Sequence, residues 1–175
     1  MLNIGSLFYE IVGNSKPKLT EEDINGVNTS ARNQEIEQYL LSLPKRPVIK
    51  YPEHMAYSCG YYDWNDNSII LREIDRYKSV DIYYLVLFHE IGHHVGFTRG
   101  EYTKNEYWFN PTKKYTEELT ADLVAIILGS KFGLDIELSI RLAKMRIHEG
   151  NLIHEHFKKS YHAAKSRIAW LEGKT

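Results

Sequence analysis

Apolar residues recur at helical spacing over Leu2 to Val12, predicting a short packing helix that Gly13-Asn-Ser-Lys-Pro17 ends. Thr20 to Ile24 reads as a capped helical turn. A longer helix follows over Ala31 to Leu43, with Ile36, Leu40, Leu41 and Leu43 on its apolar side and Pro44 and Pro47 stopping it. From Pro47 the pattern shortens to β-like runs at Val48–Tyr51, Ala56–Tyr62 and Ser68–Glu73. Asp63-Trp-Asn-Asp-Asn67 joins the last two with the composition of a hairpin turn.

Helical periodicity then returns. Ser79 or Asp81 can cap a helix running to about Val95, with Gly96 placed to end it. Gly92 lies inside that helix at a cost of about 1 kcal/mol relative to alanine, which implies that something approaches the backbone closely there. Thr98 to Lys114 reads as a polar, aromatic loop containing Tyr102, Tyr107, Trp108 and Phe109. A second long helix starts near Thr112 or Thr116 and ends near Gly129 or Gly133. Two more span roughly Asp135–Glu149 and Leu152–Trp170. The order of elements predicts an α+β domain: a small sheet packed on the Ser79–Val95 helix, the second long helix beside it, and further helices behind.

Composition narrows the class without naming it. A chain of 175 residues is most simply one domain, and 43% hydrophobic with 26% charged residues is ordinary for a soluble protein. A net charge of -1 gives no global case for nucleic acid or membrane as partner. No apolar run approaches the roughly 20 residues of a membrane span, and Met1 to Val12 lacks the features of a signal peptide. Cys59, the single cysteine, excludes an internal disulfide or thiolate cluster and suits a cytoplasmic setting. From Arg141 onward Lys and Arg outnumber Asp and Glu by 8 to 3, which reads as a solvated face.

The chemistry concentrates at His89-Glu90-Ile-Gly-His93. Helical residues four apart lie about 40° apart around the axis and about 6 Å along it, so His89 and His93 can offer imidazole nitrogens to one metal ion. Glu90, turned roughly 100° from His89, can reach a metal-bound water as general base. Leaving such groups buried and unpartnered would cost about 2–7 kcal/mol apiece, a cost that a shared zinc ion removes.

A catalytic zinc takes three protein ligands and leaves a position for water. In the extended pattern with a third histidine after Gly96, the ligand position is Arg99, which has no lone pair to offer. The alternative is a glutamate from the next helix. Glu118 would ligate, and Asp122, four residues on, could accept the free N–H of a ligating histidine. Glu117 is the other candidate but lacks a carboxylate four residues on. Tyr115 or a loop tyrosine is the candidate oxyanion donor. His94 reads as a residue behind the ligands or on the surface, and His54 as surface. His148, His154, His156 and His162 fall on the terminal helices without metal-binding spacing.

With these residues placed, the chain resembles the zincin-like metallopeptidase domain of ArdC-type antirestriction proteins and, more distantly, ImmA/IrrE-type peptidases. The resembling residues are Ala56-Tyr-Ser, Asp63, Asn67-Ser-Ile, Tyr83-Tyr84 with His89-Glu90-x2-His93-x2-Gly96 and Arg99, and Glu117-Glu118-Leu-x-Ala121-Asp122. They span roughly 30–171. The resemblance implies one zinc held by His89, His93 and Glu118, Glu90 as the catalytic residue, and carriage by a phage, plasmid or other mobile element. Family members often have Glu where this chain has Asp122, which preserves a carboxylate. ArdC-type proteins carry a single-stranded-DNA-binding region before this domain; residues 1–29 read instead as a short helical extension of a domain over 30–175. The expected activity is zinc-dependent hydrolysis of a protein or peptide substrate, held along a strand edge at Ser68–Glu73. The rival is an antirestriction or nucleic-acid-interacting protein using the domain as a scaffold or self-processing unit. A zincin that has lost activity and only binds is a third, disfavoured by the complete set of motif residues.

Overall fold

The computed structural model describes residues 4–12, 19–55 and 59–174. The elements follow one another as α1 (Ile4–Val12), α2 (Gln34–Ser42), β1 (Val48–Lys50), β2 (Gly60–Asp63), β3 (Ser68–Leu71), α3 (Val80–Thr98), α4 (Lys104–Phe109), α5 (Pro111–Lys131), α6 (Glu137–Glu149) and α7 (His154–Leu171). The expected α+β arrangement is therefore present, with a three-stranded sheet and seven α-helices among the described residues. The segment expected to end α1, Gly13 to Pro17, and the Ala56-Tyr-Ser start of the second β-run lie outside the described residues.

The sheet order is β1-β3-β2, with β1 parallel and β2 antiparallel to β3. β3 is consequently the central strand and not an edge. Its residues pair with Val48–Lys50 on one side and Gly60–Asp63 on the other. All four are buried, so neither face of this central strand is open to solvent. The free edge on the hairpin side belongs to β2. Asn67 closes the hairpin at φ 55°, a left-handed conformation that asparagine tolerates, and Tyr62 Oη donates to its side-chain oxygen at 2.6 Å.

α3 occupies the middle of the molecule. Ser79 caps it by accepting from the Ile82 amide at 3.2 Å, while Asp81, the other candidate cap, accepts instead from the Asp135 amide at the start of α6. Tyr83 to Phe88 are all buried, so the helix is apolar around its whole circumference, as expected of a helix covered on every side. It does not end at Gly96. It continues to Thr98 and is closed by Gly100 at φ 68°.

α5 packs along α3, and the two backbones nearly touch at Gly92. A Cβ there would lie 2.8 Å from Ala121 Cα. The close approach anticipated from a mid-helix glycine is thus present. α5 starts with Asn110 as N-cap and Pro111 at the first helical position, earlier than either threonine considered for it. The segment before it is no open loop. Thr103 and Glu106 form a reciprocal capping box that sets α4 between the two long helices. α6 and α7 cover the other side of α5. Leu7 and Ile11 of α1 belong to the same apolar core, as do Ile36 and Leu40 of α2. Leu41, expected on that side of α2, is 60% exposed.

The contact at Gly92 yields a directional prediction. Gly92→Ala should gain about 1 kcal/mol of helix propensity, yet its methyl meets backbone that cannot move aside. Overpacking of that kind costs about 1–3 kcal/mol. The variant is expected to unfold at lower urea concentration than the wild type; a midpoint equal to or above wild type would show that the helices are free to separate.

Candidate metal centre

His89 and His93 leave α3 one turn apart, and their Nε2 atoms face each other at 3.1 Å. What lies behind each ring decides what those atoms can do. His89 Nδ1 is 2.7 Å from Asp122 Oδ1, and His93 Nδ1 is 3.1 Å from Glu117 Oε1. A carboxylate only accepts, so each Nδ1 carries the proton and each Nε2 presents a lone pair to the other. Glu118 adds two further acceptors, Oε2 at 3.7 Å from His89 Nε2 and Oε1 at 3.6 Å from His93 Nε2. Ligand atoms of the three side chains all fall within 4.8 Å of one another.

Converging lone pairs need a positive charge between them. The burial of charge around the site points the same way. Glu90, Glu117, Glu118 and Asp122 are all buried. Among the described residues two guanidiniums pair with them, Arg146 at 2.9 Å from Glu118 Oε2 and Arg167 at 2.6 Å from Glu117 Oε2. A cation held between the rings would add to that countercharge. The titration of the groups reflects the same field. Burial works against a charged His89, but Asp122 beside it, with Glu90 and Glu118, outweighs burial and lifts it to about 9, so this field draws positive charge to Nε2, as a proton or as a metal ion that takes the proton's place. Burial alone would raise Glu118, whereas His93, Arg146 and His89 bring it down to about 2. The donor set fits a metal ion.

Glu90 differs from its neighbours. It lines the same cavity, and burial raises its carboxyl, with His89 and His93 offsetting only part of the effect. The cavity has a volume of about 510 Å³. Leu85, Val86, Leu138 and Leu142 form an aliphatic wall on one side, while Trp64 and Tyr107 stand on the side of His93. Gly60, Tyr61 and Tyr62 of β2 border it as well, so the strand beside the site is the edge strand β2 and not Ser68–Glu73.

Among the tyrosines, Tyr107 donates from its hydroxyl to Glu118 Oε1. Tyr115 does not line the cavity; its Cβ packs against Gly150, where an added Cβ would lie 2.6 Å away. His94 is buried and turned to the hairpin, Nδ1 at 3.0 Å from Asn67 Oδ1, with burial lowering it to about 4. His54, His148, His154 and His162 are exposed, and His156 is half-buried with its Nδ1 capping α7.

Two arginines that the sequence reading left on a solvated face are in fact turned inward. Arg146 continues the Leu138–Leu142 stripe of α6 at the same four-residue spacing, and Arg167 lies between Ala164 and Leu171 on the buried face of α7. An arginine at an apolar position of a helix was the available signal for both. The short helix carrying Tyr107 had its own signal in Thr103-x-x-Glu106.

No helix among the described residues is long and apolar enough to cross a membrane. Neither curated proteins nor solved structures give a match to the chain. A family model does match, over residues 49–165, more than half of the chain and including both α3 and α5. On that match, and with the geometry that α3 and α5 bring together, the chain belongs to the zincin-like metallopeptidase family.

Proposed function

We propose that the protein is a zinc-dependent peptidase in which His89, His93 and Glu118 hold the metal and Glu90 is the catalytic base. One observation carries the reading: two imidazole Nε2 lone pairs and the Glu118 carboxylate converge, while each Nδ1 proton is committed to a separate carboxylate. Bound zinc supplies Lewis-acid chemistry, lowering the pKa of a coordinated water toward ~7 and polarising the scissile carbonyl.

The chain's own groups do the rest. Glu90, raised by burial, accepts a proton at its carboxylate and returns it to the leaving amine nitrogen. Asp122 and Glu117 keep the two rings in one tautomer. Tyr107 takes the role of oxyanion donor considered for Tyr115 or a loop tyrosine: its single hydroxyl proton, given to Glu118 at rest, would turn from that carboxylate to the developing oxyanion. The free edge of β2 borders the cavity, so an extended peptide can add to it as a further strand. The substrate is accordingly a protein or peptide segment in extended conformation.

The rival, an antirestriction or nucleic-acid-interacting protein, draws on basic C-terminal helices. Arg141, Arg146 and Arg167 are instead paired with Asp23, Glu118 and Glu117, which leaves that patch three cations poorer. The ArdC-type pattern supports carriage by a phage or other mobile element, and the lone Cys59 accords with a cytoplasmic setting.

Metal content of the purified protein is the direct test. One zinc per chain is expected in the wild type and in Glu90→Gln, with loss of tight binding in Glu118→Ala and loss of peptide hydrolysis in both variants. A wild type that stays metal-free after incubation with zinc would sink the reading. Tyr107→Phe is expected to keep its zinc but to lower kcat about a hundredfold; an unchanged kcat would remove Tyr107 from the chemistry.

A further inference from the structure

Arg167 stands 74 residues after His93 in the sequence and beyond the stretch matched by the family model, yet it reaches the back of the metal centre. It is 3% exposed. Nη1 and Nη2 donate to Glu117 Oε1 and Oε2 at 2.7 and 2.6 Å, a bidentate pair that fixes the plane of the carboxylate. Nη1 also donates to the Gly92 carbonyl at 3.0 Å, immediately before His93, and Nε donates to Glu101 Oε2 at 2.8 Å. The guanidinium lies where a side chain at position 96 would be, so Gly96 serves to admit Arg167 and not to end a helix. Glu117 Oε1, one of the two oxygens so held, is the acceptor for His93 Nδ1.

We propose that Arg167 is a positioning residue for the metal: by clamping Glu117 it holds the His93 ring in one orientation and one tautomer, and so couples metal binding to the docking of α7. The inference rests on the reading of His93 as a zinc ligand. A buried carboxylate with no counter-charge and no fixed donors would not stay in the plane that receives the Nδ1 proton. Once the ring is free to exchange tautomers, Nε2 carries the proton part of the time and its lone pair is unavailable to a metal. Coupling of this kind is reciprocal: whatever α7 docking contributes to metal affinity, metal binding returns to α7 docking.

The experiment compares Arg167→Met and Arg167→Lys with the wild type and with Arg141→Met, which removes an α6 cation paired with Asp23. Zinc affinity is read by competition with a chromophoric chelator, and the His93 tautomer by ¹⁵N shifts of its ring. Arg167→Met is expected to weaken zinc binding about 10- to 100-fold and to move the His93 ¹⁵N shifts toward mixed tautomers. Arg167→Lys should recover part of both, and Arg141→Met should change neither. Because Arg167 is buried, either variant could fail to fold, so the wild type supplies an independent arm. Zinc should slow amide hydrogen exchange in α7 more than in α2, which carries no residue of the site. Unchanged zinc affinity and tautomer in a folded Arg167→Met protein, or no zinc-dependent protection of α7, would overturn the coupling while leaving the peptidase reading intact. A wild type that binds no zinc would overturn both.

Discussion

Because residue 92 is a glycine, α3 can lie against Ala121 of α5 with no side chain between the backbones, and the site is built across that contact. Imidazole and carboxylate side chains are short. For His89 and His93 on one helix to meet Glu117, Glu118 and Asp122 on another, the helices must approach more closely than side chains of ordinary size allow. Alanine at 121 and 125 keeps the α5 side of the interface small. The cost of a glycine within a helix is thus offset by groups that could not otherwise touch.

Closeness alone would be destabilising, since it drives four carboxylates into the interior. Each needs a partner, and for three of them the fold supplies partners from several directions. Asp122 and Glu117 take imidazole protons, Glu118 takes the Tyr107 hydroxyl and Arg146, and Arg167 closes on Glu117. Removing one member of such a buried pair costs about 3–5 kcal/mol, mostly through the charge left behind. The terminal helices are therefore more than a cover for α5. They deliver the two cations that make the acidic face of α5 tolerable, while the convergence of His89, His93 and Glu118 is what suits the centre to a metal ion.

How much of this was legible depended on whether a feature was local. Ser79 as a cap, the hairpin turn at Asp63–Asn67 and the shared face of His89 and His93 each follow from residues a few positions apart, and the structure has all three. Gly92 was legible because an unfavourable residue in an otherwise strong helix demands a reason. Gly96, which invited the same question, was assigned to the helix end because that use of glycine is common; its actual neighbour, Arg167, is brought there by tertiary packing. The placing of Ser68–Glu73 at a sheet edge failed for a similar reason. Strand order is set by non-local pairing, and β2, though first in the chain, folds back to the outside of β3. The segment 98–114 was misread for a different cause: aromatic and polar composition outweighed two capping patterns, at Thr103 and at Asn110-Pro111.

That last difference bears on the chemistry. An open loop could bring a tyrosine near the centre only as one of many conformations, at an entropic cost each time. A helix of six residues capped at Thr103, and followed at once by the capped start of α5, leaves Tyr107 no comparable freedom. Its ring lies edge-on to His93 and tilted against Trp64, and its hydroxyl is held by Glu118. The aromatic wall of the cavity and the carboxylate of the centre are thereby joined through one residue. In the role proposed for Tyr107, a group gains most when its position is fixed before charge develops, and the two caps on either side of it provide that fixation.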